Sequence, residues 1–66
     1  MMLTGRQRQV LARIEGSTLT AVGDELGLTR ARVGQITQRL ETLGVLTRDV
    51  WGWHVTDAGR AELVRK

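Results

Sequence analysis

Residues Thr18 to Ile36 read TLTAVGDELGLTRARVGQI, and this stretch decides the fold. Val22 and Leu26 lie four apart, so one helical face carries both. Ser17, Thr18 or Thr20 stands where a hydroxyl can cap that short helix, expected at about 19–26. Gly27 follows, the residue type that closes a helix in the left-handed conformation. Leu28 then drops toward the core and Thr29 caps a second helix. Val33, Ile36, Leu40 and Leu43, spaced three, four and three, form its continuous apolar stripe over about 30–43. Gly23 is small enough to let the two helices approach. The result is two helices crossing through a tight turn, the helix-turn-helix that presents its second helix to a DNA groove.

Working outward, Thr4 followed three residues later by Gln7 fits a capping box. Val10, Leu11 and Ile14 continue at helical spacing, and Gly16 ends a scaffold helix expected over about 4–15. Beyond Gly44 the period changes to two. VLTRDVWGWHVT reads as a hairpin over about 45–56, with Gly52 as its turn residue, Trp53 and Val55 on one face and His54 on the other. Thr56 and Asp57 open a last helix over about 57–65 that contains Ala61, Leu63 and Val64. Gly59 weakens that helix by about 1 kcal/mol relative to Ala. The expected fold is mostly α with a small β-hairpin: a three-helix core, a wing and a short C-terminal helix in one domain.

Composition narrows the function. The chain has 66 residues, no Cys and one His, so neither a disulfide framework nor a metal site of ordinary ligand count is expected, and no cofactor. Ser17, the one serine, has no nucleophile motif around it, and the eight glycines form no phosphate-cradling loop. Enzymatic function is not expected. No apolar run is long enough for a membrane span and no signal peptide is evident, so a cytoplasmic protein is expected, in a bacterial cell or a phage-infected host. Net charge is +3, and nine of the ten basic residues are Arg. Three acids and no base fall between Glu15 and Leu28; three Arg and no acid fall between Thr29 and Leu40. Segregation of this kind marks a polarised surface suited to nucleic acid.

The run Thr18, Leu19, Val22, Gly23, Gly27, Leu28, Thr29, Arg30, Arg32, Val33, Gln35 and Ile36 resembles the helix-turn-helix of bacterial sigma factor region four. In that family this helix reads the upstream promoter element. The opening LTGRQRQVLARI is similar to the first helix of LexA-type repressors. The hairpin followed by VTDAGR resembles the wing and following helix of MarR-like regulators. Together these imply a winged helix-turn-helix regulator of transcription. Sigma region four does not continue into a wing, and it tends to have Glu and a basic residue where this chain has Ala31 and Gly34.

With the stripe inward, Ala31, Gln35 and Gln38 lie most nearly opposite it, and Arg30, Arg32 and Arg39 flank them. Gln35, with Arg30 or Arg32, is expected to read base edges, Ala31 to touch a thymine methyl, and the remaining arginines to meet phosphates. The nine expected DNA-binding positions are Thr29, these six residues, and Arg48 and His54, which are placed to contact backbone or minor groove as a wing does; the alternative for His54 is a solvated side chain. Gly34 either lets the helix approach a DNA strand or is tolerated on a face without packing demands. Trp53 is read as core. Trp51 packs under the wing, covers a dimer seam, or offers a handle to a protein partner. Double-stranded DNA is the expected partner, for a repressor or other regulator of phage or mobile-element type. A homodimer, with Met1, Met2, Leu3 and the last helix as its spare apolar surface, docking on RNA polymerase, and an excisionase-like architectural role are the alternatives.

Overall fold

The computed structural model describes residues 3–64. Its elements are α1 (Gly5–Ile14), α2 (Leu19–Leu26), α3 (Arg30–Thr42), β1 (Leu46–Asp49), β2 (Gly52–Val55) and α4 (Asp57–Val64). This is a mostly helical chain with one antiparallel hairpin, the layout of a small winged helix. No helix among the described residues is long and apolar enough to cross a membrane.

Each of the first three helices begins at a threonine cap. The Thr4 hydroxyl accepts from Gln7 N–H at 3.1 Å while Thr4 N–H donates to Gln7 Oε1 at 3.0 Å, the expected reciprocal box. Of the three candidate caps for α2, Thr18 is used, accepting from Ala21 N–H at 3.0 Å. Thr29 accepts from Arg32 N–H at 3.1 Å. Gly27 closes α2 with φ +71°, and its N–H returns to Gly23 O. The expected boundaries move inward by the cap residues, α1 ending before Glu15 and α3 before Leu43.

The core gathers Leu3, Val10, Leu11, Ile14, Val22, Val33, Ile36, Leu40, Val45, Leu46 and Trp53. Leu3 corrects an expectation. It is 5% exposed, part of this core rather than spare surface for a dimer. Met1, Met2 and the expected last residue of the final helix, 65, lie outside the described residues. On α3 the stripe includes Thr37, also buried, whose hydroxyl donates to Gly34 O at 2.8 Å and so enters the core satisfied. Leu43 is only half-buried, at the helix cap.

Two glycines let backbone touch backbone. A Cβ on Gly23 would stand 2.6 Å from Leu28 O, so the turn between α2 and α3 closes only over a residue without one. On α4, the inward residues are Gly59 and Glu62; Ala61 and Val64 face solvent and Leu63 is half-buried. The helix docks through Gly59, where a Cβ would collide with Val45 O and lie 2.7 Å from Val55 Cγ1. The glycine that weakens the helix locally is what seats it.

The hairpin pairs Leu46 with Val55, Thr47 with His54, Arg48 with Trp53 and Asp49 with Gly52. Val50 and Trp51 form the turn, and the one positive φ falls on Gly52, now the first residue of β2. The hairpin and α4 are both tied to the α1 end of the chain. Glu15 Oε2 accepts Val55 N–H at 3.1 Å, taking the place of a third strand at that edge, and Glu15 Oε1 accepts from Arg60 at 3.4 Å. Arg8 donates to the Glu62 carbonyl, tying α1 to α4.

Gly23→Ala and Gly59→Ala are expected to lower stability by about 1–3 kcal/mol each, the usual cost of overpacking. Gly34→Ala, whose Cβ would meet only Leu19 Cδ1 at an ordinary 3.8 Å, should instead raise it by up to about 1 kcal/mol. Urea denaturation of the three variants measures the contrast, and equal effects would contradict the packing described here.

Candidate nucleic-acid interface

Helix α3 has 13 residues, about 20 Å at 1.5 Å per residue. Its inward side is Val33, Ile36, Thr37 and Leu40. Arg30, Ala31, Arg32, Gln35, Gln38 and Arg39 are all exposed on the remaining sides, as the helical wheel predicts, and Thr29 is exposed at the cap with its hydroxyl occupied.

Two clefts flank the helix. Between α3 and the hairpin lies the wider one, bordered by Ala31, Gln35, Gln38 and Glu41 on one bank and Arg48 and Trp53 on the other. Between α3 and the start of α1 lies a second, bordered by Arg32, Gln35 and Arg39 opposite Thr4, Arg6 and Gln7. Gln35 borders both and stands on the crest. Its Oε1 accepts from Arg32 at 3.4 Å, which restrains the amide on the exposed surface.

The arginines divide into two populations. Arg13 pairs with Glu25 at 3.5 Å and Arg60 with Glu15 at 3.4 Å, both away from α3. Arg6, Arg30, Arg32 and Arg39 are exposed and form no ion pair with any carboxylate among the described residues. The positive charge of these four side chains is thus left uncompensated by any ion pair, while Arg13 and Arg60 are matched. Such a patch raises the local concentration of a polyanion.

The two wing residues part company. Arg48 lies on the hairpin face that looks toward α3, its guanidinium 4.9 Å from the Trp53 ring centroid. Stacked there, it is held beside the wider cleft. His54 lies on the outer face, its Nε2 3.0 Å from Asp49 Oδ1, so the sequence expectation of a free wing contact meets a side chain already engaged with a carboxylate. Asp49 also accepts Trp51 N–H at 2.8 Å. That backbone hydrogen bond, with a smaller contribution from His54, holds the Asp49 carboxyl below its ordinary 3.8. Trp51 itself is 85% exposed and Val50 88%, which removes packing under the wing as a role for Trp51. Gly34 is half-buried against the start of α2, off the exposed crest.

Arg6 is not among the expected interface positions. Its sequence context is a scaffold helix, and only the packing of α1 across α3, through chain segments about 30 residues apart, brings it to the second cleft. A basic residue in the first turn of a helix with no acid there was the available signal, because that position opposes the helix dipole.

Comparison with protein-family models, curated proteins and solved structures gives no match for this chain. The site therefore stands on its own geometry.

Because Asp49 is depressed in the folded state, its brace on the wing turn is complete above the unfolded carboxyl value and is lost as pH falls through the folded one. An NMR titration of the side-chain carboxyl should give a midpoint below 3.8, and Asp49→Asn should return the Trp51 amide signal toward its acid-state position at neutral pH. A midpoint at or above 3.8 would contradict the brace.

Proposed function

We propose that this chain binds duplex DNA sequence-selectively and regulates transcription, with α3 in the major groove and the hairpin along the backbone or minor groove. The observation that carries this reading is the uncompensated arginine face of a protruding helix: Arg30, Arg32 and Arg39, joined by Arg6 and flanked by Arg48. Holding so much like charge together costs stability, and neutralisation by phosphates returns it. A helix 10–12 Å across matches a major groove about 12 Å wide.

In this arrangement Gln35, at the crest, meets base edges. With Oε1 held by Arg32, its amide N–H groups are the ones presented, suited to the purine N7, guanine O6 and thymine O4 acceptors. Arg30 shares base reading, Ala31 is sized for a thymine methyl, and Arg39 meets phosphate. Gln38 faces the wing-side cleft with Arg48. The resemblance to sigma region four and to winged repressors supports the same reading, including a small regulator of phage or mobile-element type.

A second reading rests on one observation, the pair Val50 and Trp51 at the tip of the wing, both above 80% exposed. An apolar tip suits docking on a protein such as RNA polymerase. Salt separates the two. Four phosphate contacts, from Arg6, Arg32, Arg39 and Arg48, imply a log–log slope near −3.6, an affinity loss of about 150-fold between 50 and 200 mM salt, whereas an apolar protein contact changes little.

Calorimetry with a site selected from random duplexes should show that steep loss. Gln35→Ala should cost roughly 1–3 kcal/mol on the selected site and little on scrambled DNA, while Arg39→Gln weakens both alike. Absence of duplex binding at low salt, with polymerase binding that Trp51→Ala abolishes, would replace this reading with the second.

A further inference from the structure

Resting on the DNA-binding reading, we propose that the cleft between the start of α1 and α3 is the phosphate anchor of the interface, and that Arg6 is one of its DNA contacts. Arg6 approaches this cleft from α1, and Arg32 and Arg39 approach it from α3. Among the described residues, no acidic side chain borders it. The wing-side cleft, by contrast, sets Glu41 against its one arginine, Arg48. The interface is therefore lopsided: the strand that passes the α1 side meets three guanidinium groups, and the other strand meets one beside a carboxylate.

Folding does not explain Arg6. Its side chain is exposed, it has no ion pair among the described residues, and it sits at the positive end of α1 in a first turn without an acid. There it opposes the helix dipole, and a bound anion converts that cost into a gain. Arg8, two residues on, makes the contrast, since its guanidinium is spent on the Glu62 carbonyl. Arg32 and Arg39 are seven residues apart, about 10.5 Å along α3, so they reach different phosphates of one strand rather than sharing one. The cleft, about 250 Å³ in volume, is open to solvent and has room for a phosphodiester group.

The test compares Arg6→Gln with Arg13→Gln, which removes the same charge from the same helix but from a residue paired with Glu25. Both are measured against a selected and a scrambled duplex over a salt series. Arg6→Gln should weaken both duplexes roughly five- to tenfold and flatten the log–log salt slope by about 1, with Arg13→Gln close to the parent. Inorganic phosphate, added to the parent chain without DNA and occupying either phosphate position along the cleft, should shift the Arg6, Arg32 and Arg39 side-chain NMR signals and leave Arg60 in place. If the parent binds duplex and Arg6→Gln matches Arg13→Gln in affinity and slope, the anchor is overturned while DNA binding stands. If the parent binds no duplex but the three arginines respond to phosphate, the anion site stands and the DNA reading falls.

Discussion

The crossing of α2 and α3 rests on a contact with no side chain in it. Gly23 Cα lies against the Leu28 carbonyl, and Gly23 O accepts N–H groups from both Gly27 and Leu28, the latter at 2.8 Å. That closure sets Gly27 left-handed, delivers Thr29 as the cap of α3 and fixes the angle at which α3 leaves the turn. Val33 then meets the buried side of α2, and the arginine face of α3 has nowhere to go but outward. The same device recurs at Gly59, where α4 is drawn onto the Val45 carbonyl. In a chain of this size the core is small, and close backbone approach lets few aliphatic side chains touch many neighbours.

What was legible in the sequence is what is local. The capping box at Thr4 and Gln7, the left-handed Gly27, the three-four-three stripe and the switch to period two after Gly44 each concern residues within a turn or two of one another, and all appear in the structure. The nine expected interface positions were likewise placed by a single helix and a single hairpin, and eight of them are exposed; His54 is half-buried against Asp49. The features that escaped are nonlocal. Leu3 joins the core, Glu15 caps the edge of β2 forty residues away, Arg8 reaches α4, and Arg6 comes to lie across from α3. Gly59 was legible only as a local cost, because its benefit belongs to a partner, Val45, on another segment. Periodicity reports which way a side chain faces, and it carries no information about which segment arrives opposite.

Charge in this molecule is sorted by purpose. Three carboxylates are spent on structure: Glu15 on β2 and α4, Glu25 on Arg13, Asp49 on the wing turn. Surface pairs of this kind contribute little each, about 0–1 kcal/mol. In the fold, Arg13 and Arg60 lie against carboxylates, and Arg6, Arg30, Arg32 and Arg39 pair with none among the described residues.

The chain contains two tryptophans and neither Phe nor Tyr, and both tryptophans sit on the hairpin, one buried beneath Arg48 and one at the tip in solvent. All near-ultraviolet emission therefore originates in the wing, while circular dichroism in the far ultraviolet is dominated by the helices. Two optical channels report separately on the two halves of a 66-residue fold, so whether the wing melts with the helices or ahead of them can be read without attaching any label.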